Sequence, residues 1–135
     1  MNYSSLSDKA AAPACAYESA RTVSSVTTPG VTFTIARMSF GRRVELTRQV
    51  RELGQKIDFL QAGSDLKERM EATVLAGEID RLYLEWGLME VSGITVDGEP
   101  ATPKALIDNG PEELTGEVLQ CIKAECGLNQ AEVKN

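Results

Sequence analysis

At 135 residues the chain has the size of one ordinary domain, and its 42% apolar and 25% charged residues are those of a globular protein with a modest core. Twenty acidic against fourteen basic side chains give a formal charge of −6, which disfavours nucleic acid and anionic membrane, where a basic surface supplies most of the attraction. Only 5% of residues are aromatic, so any core must rest mostly on Leu, Val, Ile, Met and Ala.

Residues 1–29 are rich in Ser, Ala and Thr, carry Pro13 and Pro29, and show little apolar periodicity. This pattern predicts a flexible N-terminal arm, with residues 30–135 forming a single mainly helical domain. After Gly30, Val31, Phe33 and Ile35 alternate with Thr32, Thr34 and Ala36, the period of a half-buried strand. One strand needs a partner, so pairing elsewhere in the chain or with a second copy is expected. Val31, Phe33 and Ile35 are on that ground candidate interaction residues.

From about Phe40 the period lengthens. Leu46, Val50, Leu53, Ile57 and Leu60 recur at steps of four and three, the seam of an amphipathic helix. Ala62-Gly63-Ser64 closes it, with Ser64 expected as the N-cap of a second helix from Asp65 to about Gly87. Leu75, Ile79, Leu82 and Trp86 mark the apolar face of that helix, and Leu66, Met70 and Val74 continue a neighbouring stripe. So short a link predicts an antiparallel helical hairpin.

A short irregular region follows, in which Ile94-Thr95-Val96 runs into the turn dipeptide Asp97-Gly98, so a small hairpin or a strand-like crossing is expected there. Thr102-Pro103 reads as N-cap and first residue of a short helix ending at Asn109-Gly110. Pro111 with Glu112 and Glu113 opens another, buried through Leu114, Val118, Cys121 and Ile122 and stopped at Gly127. A last turn after Asn129 completes the expectation. The fold class is mainly α with minor β: a helical hairpin, shorter C-terminal helices and a short strand or hairpin.

Few chemical groups are available. The absence of histidine removes Ser-His and Cys-His nucleophile pairs, histidine proton shuttles and nearly every mixed zinc site. Cys15, Cys121 and Cys126 form no disulfide framework, and the last two fall about 140° apart around one helix, poorly placed for a shared metal. Glu78, Asp80, Glu85 and Glu90 read as solvated surface rather than a converging acid–base pair. Neither GxGxxG nor GxxxxGK[ST] occurs, and Asp97-Gly98-Glu99 lacks the ligand order of a calcium loop. No cofactor, no metal and no enzymatic activity are expected. The chain has no apolar run near the roughly 20 residues that span a bilayer and no secretory leader, which makes the cytoplasm the expected location.

Arg42, Arg43, Arg48 and Arg51 lie at helical spacing and are candidates for an electrostatic contact with an acidic neighbouring subunit or with phosphate. The plainer alternative is a charged outer face, paired in part with Glu45 and Glu52. Tyr83 and Trp86, three apart, are either core residues or aromatic anchors of an interface.

Taken together, VTFTIARMS at 31–39, YLEWGL at 83–88, GITVDGEPATPKALIDNGPEEL at 93–114 and the ending GLNQAEVKN at 127–135 resemble the tail assembly chaperones of long-tailed bacteriophages and prophages. The resemblance covers about residues 30–135. It implies a mostly helical, non-catalytic protein that self-associates into rings or spirals. Such a protein engages the tape-measure protein during tail assembly in the bacterial host cell and is absent from the finished virion. Many members are also made in a longer, frameshifted form. A different class stands beside it: a small nucleic-acid-binding regulator using the arginine-rich helix, against which the charge of −6 weighs.

Overall fold

The computed structural model describes residues 13–63 and 65–127. Among these, the order is β1 (Ala20–Ser24), β2 (Thr32–Ala36), α1 (Phe40–Gln61), α2 (Leu66–Gly87), β3 (Leu88–Ser92), β4 (Thr95–Val96), β5 (Glu99–Pro100), α3 (Pro103–Asn109) and α4 (Glu112–Glu125). The mainly α fold with minor β and the antiparallel helical hairpin are therefore present.

The helix ends follow from their capping residues. Ser39 Oγ accepts from Arg42 N at 3.2 Å and starts α1. Asp65 is the N-cap of α2, its Oδ1 accepting from Lys67 N at 3.0 Å, so the capping role belongs to Asp65 rather than Ser64. Ser64 itself, like the turn expected after Asn129, lies outside the described residues. Thr102 caps α3 through its Oγ1, which accepts from Ala105 N at 3.1 Å, and Pro103 occupies the first turn as expected. Asp97 and Gly98, at φ 53° and 86°, make the two-residue turn between β4 and β5. Gly127, at φ 88°, follows α4 and donates its N–H to Ala124 O at 3.0 Å.

Two expectations are corrected at the sheet. The segment read as a flexible arm holds β1, which pairs antiparallel with β2 from Ala20↔Ala36 to Ser24↔Thr32. The stretch read as irregular after Gly87 holds β3, which pairs with the other side of β2. The order is β1-β2-β3, so β2 is the central strand and both its hydrogen-bonding edges are occupied within the chain. Alternation along β3 is broken because Ile35 pairs with Leu88 while Thr34 pairs with Glu90, leaving Met89 as an extra, exposed residue.

One face of the sheet carries Val23, Phe33, Ile35 and Val91 into a core shared with Leu84, Leu106, Leu114, Val118 and Ile122. The other face is polar, with Thr22 and Thr34 hydroxyls 3.0 Å apart and Thr32 and Ser92 hydroxyls 2.7 Å apart. Gly87 lets α2 meet α4 closely: a Cβ there would lie 2.8 Å from the Ile122 side chain.

The loop from Ser25 to Gly30 is fastened to α4 by one carboxylate. Glu117 Oε1 accepts from Ser25 Oγ at 2.7 Å and Thr27 Oγ1 at 2.8 Å, and Oε2 accepts from Val26 N at 2.7 Å. Burial pushes this carboxyl up, but the hydroxyl and amide donors together outweigh it and hold the group below its ordinary value. A carboxyl with a depressed folded pKa stabilises fully above its unfolded value, and that stabilisation is lost as pH falls through the folded value. Glu117→Ala is expected to cost about 2 kcal/mol near neutrality, from hydrogen bonds to a charged acceptor. In urea titrations across pH, the gap between variant and parent should narrow below about pH 4, the ordinary carboxylate range. A gap of constant size down to strong acid would show that the carboxylate charge is not what holds the loop.

Candidate interaction surface

The helical hairpin has two unlike halves. At its base, Leu46 is buried, and Val50, Ile79, Leu82 and Trp86 pack against the core. Arg43 Nη1 donates to Cys126 O at 3.2 Å, which ties the start of α1 to the end of α4. Toward the tip, Leu53, Ile57, Leu60 and Leu75 are only half-buried and do not join the core. There the two helices rest chiefly on each other. Each consequently keeps apolar side chains that no other described element covers: Phe59 is 76% exposed, Leu66 65%, Met70 61% and Val74 58%.

Two surfaces result. An open groove of about 680 Å³ runs between the helices, lined by Glu52, Gln55, Lys56, Phe59, Leu60, Glu71 and Leu75. On the outer side of α2, Leu66, Met70 and Val74 form a shallow apolar strip edged by Asp65, Lys67 and Glu71. Contiguous exposed apolar surface of this kind, rimmed by charge, marks interaction sites in soluble proteins.

The sequence-derived candidates are distributed differently. Val31, Phe33 and Ile35 are 2%, 1% and 0% exposed, so they are core residues and offer neither side chains nor a free strand edge to a partner. The expected pairing of this strand across subunits is overturned by β1 and β3. Tyr83 is buried at 8% exposure, which decides its alternatives in favour of the core, while Trp86 is half-buried at the core margin. Burial raises the Tyr83 phenol above its ordinary value, and Lys123 Nζ sits 5.8 Å from its ring.

The four arginines do not act as one patch. The Arg42 guanidinium lies 5.9 Å from the Trp86 ring, and Arg43 is engaged with Cys126. Arg48 pairs with Glu45 one turn away, as a charged outer face would have it. Arg51 is exposed. Phe40 and Val44, 87% and 52% exposed, sit among these arginines, so this side of α1 is amphipathic rather than uniformly basic.

The remaining chemistry is dispersed. Asp80 pairs with Lys123 at 3.0 Å and Glu85 with Arg81 at 3.5 Å, while Glu90 stands on the polar face of the sheet. Asp108 bridges Arg81 at 2.8 Å and Lys104 at 2.9 Å, and these partners hold its carboxyl below the usual range. All three cysteines are free thiols, and burial pushes Cys126 up to about 11, where it is a poor nucleophile. Among the described residues no group of three or more His, Cys, Asp or Glu could hold a metal ion, and no helix is long and apolar enough to cross a membrane.

No protein-family model, no curated protein and no solved structure matches this chain.

Phe59 escaped the sequence reading because it falls off the seam of α1, about 100° round from Leu60. The usable signal was an excess. Each helix of the hairpin carries more apolar positions than a single antiparallel neighbour can cover.

Proposed function

We propose that the chain is a non-catalytic assembly factor of the tail assembly chaperone kind, which self-associates and holds a helical client such as the tape-measure protein during tail assembly. The observation that carries this reading is the apolar surface left uncovered along the tip of the helical hairpin, with Phe59 at its centre. A groove between two helices accepts a third amphipathic helix, whose apolar positions at i, i+3, i+4 and i+7 seat against the exposed side chains. Here Phe59, Leu60 and Leu75 supply the apolar lining, and Glu52, Lys56 and Glu71 add both signs of charge. Recognition of this type makes and breaks no covalent bond, and the wide, open groove suits a long, repetitive client. The setting would be the cytoplasm of a bacterial host.

The alternative, a regulator that binds nucleic acid through Arg42, Arg43, Arg48 and Arg51, gains nothing from the arrangement, since three of the four are engaged within the chain.

Phe59→Asp tests the reading. The side chain is largely exposed, so stability should change by no more than about 0.5 kcal/mol. Binding to helical fragments of a tape-measure protein, followed by fluorescence anisotropy, should weaken about tenfold or more, as for loss of an aromatic anchor. Unchanged binding by a stably folded variant would remove the groove from the proposal. Salt-sensitive retention of the parent protein on DNA, lost with Arg48→Glu and Arg51→Glu, would favour the regulator instead.

A further inference from the structure

The base of the hairpin carries a second surface, of different chemistry from the groove at its tip. Over the first turns of α1, Phe40, Val44, Thr47 and Arg51 fall within about 60° of one another around the helix axis. Arg43 and Arg48, about 140° apart, form the two edges of that face. Glu45 and Glu52 lie about 40–60° beyond Arg48, outside it. Two adjoining hollows, of about 540 and 220 Å³, share Arg43, Thr47 and Arg51 in their walls. The larger also holds the exposed Phe40 and Val44, and the smaller reaches Met38 and Val50, which pack against the core.

Together the two linings set three arginines against a single carboxylate, Glu52. The positive charge is largely uncompensated. Arg43 donates to a neutral main-chain carbonyl, that of Cys126, and Arg51 takes part in no ion pair among the described residues. Arg48 meets Glu45 only in an exposed pair, of a kind that contributes little and that another carboxylate can replace. The tip groove has the opposite balance, with Glu52 and Glu71 against Lys56, and Glu52 is the one residue common to it and the larger hollow. A positive, partly apolar face is thus a local exception on a chain of formal charge −6.

We propose that this face docks an acidic amphipathic helix of a partner protein. The apolar positions of that helix cover Phe40 and Val44 and extend to the hollow beside Met38 and Val50. Carboxylates along its flanks meet Arg43, Arg48 and Arg51, the last two one turn apart on α1. A guanidinium takes a carboxylate through two parallel N–H donors, so these pairs orient the helix as well as attract it. Charge complementarity decides the occupant. A basic segment would meet three like charges, and a neutral one would cover the arginines without supplying a counter-charge. A phosphate backbone fits less well, because it brings nothing apolar to Phe40 and Val44 and carries dense negative charge toward an acidic chain. This contact goes beyond the client reading, since it lies on another part of the hairpin and selects its partner by charge.

Fluorescence anisotropy on the full chain at low salt tests the proposal with a labelled peptide helix that has leucines along one face and glutamates along its flanks. Binding is expected, and it should weaken as salt is raised. The same peptide with lysines in place of the glutamates should bind about tenfold or more weakly. Arg48→Glu with Arg51→Glu, and separately Phe40→Ser with Val44→Ser, should each weaken binding of the glutamate peptide about tenfold or more. All four side chains are exposed, so circular dichroism should show the helices unchanged in both variants. No binding of the glutamate peptide, or equal binding of the glutamate and lysine peptides, would overturn the inference. So would a single-stranded DNA of matched charge that binds more tightly through the same arginines. Binding lost with Phe59→Asp but kept with the arginine pair would place the peptide in the tip groove, overturning this proposal and leaving the assembly reading in place.

Discussion

Phe33→Ala should remove a large part of the protein's stability. Phe33 is 1% exposed on the central strand of the sheet, paired with Val23 on one side and Val91 on the other. Removing its ring deletes buried apolar contact and leaves a cavity that the flanking strands cannot fill, because β2 is held in register from both edges. Such truncations cost about 3–5 kcal/mol, against a total stability of about 5–15 kcal/mol for a domain. Thermal unfolding followed by circular dichroism should show a midpoint lowered by about 10–15 °C. Thr34→Ala, one residue along and on the polar face, should cost only about 1 kcal/mol or less, from the lost hydroxyl contact with Thr22. The pair of variants also decides what kind of residue Phe33 is. A core residue lowers stability at every concentration, whereas an interface residue would change self-association and leave the monomer intact. A small stability change with lost association would contradict the burial described here.

Gly93→Ala is the second large effect, and it acts through the backbone. Gly93 has φ 90°, a left-handed conformation that L side chains adopt only under strain, and a Cβ placed there would overlap the carbonyl oxygen of Gly30. The overlap is with main chain, so no rotamer change relieves it. Either the loop leading into β2 or the turn after β3 has to move, and both belong to the three-stranded sheet. Conformational strain of about 1–3 kcal/mol adds to the cost of that displacement, and a total of about 3 kcal/mol or more is expected. Gly98→Ala provides the control. Gly98 has a similar φ of 86° but open space where its Cβ would lie, so only the conformational cost of about 1–2 kcal/mol applies. Chemical denaturation of the two variants side by side measures the steric part by difference. Equal losses would mean that the approach of Gly93 to Gly30 carries no energetic weight.

The elements that were legible in the sequence are those whose signals are local. Both hairpin helices, the turn at Asp97-Gly98, the start of α3 at Thr102-Pro103 and the stop at Gly127 each depend on residues within a turn or two of one another. β1 was not legible, because the side of Ala20–Ser24 that faces inward offers only Arg21 and Val23. Arg21 is accommodated there by an ion pair with Glu125 at 3.1 Å, a partner more than a hundred residues away. β3 was hidden by its bulge at Met89, which breaks the alternation by which a strand is recognised.

The same division runs through the candidate surface. By itself the sequence determined that the chain is mainly helical and built around an amphipathic hairpin, because spacing along a helix settles which residues share a face. It could not say which face is covered. Coverage depends on which other segments arrive, and only the tertiary structure decided that. Val31, Phe33 and Ile35 became core when β1 and β3 closed on either side of them. Leu66, Met70, Val74 and Phe59 became surface because the hairpin outruns the body that buries its base. Apolar pattern is a property of the local chain, whereas burial is a property of the whole fold, and on this protein the two part company at the hairpin tip.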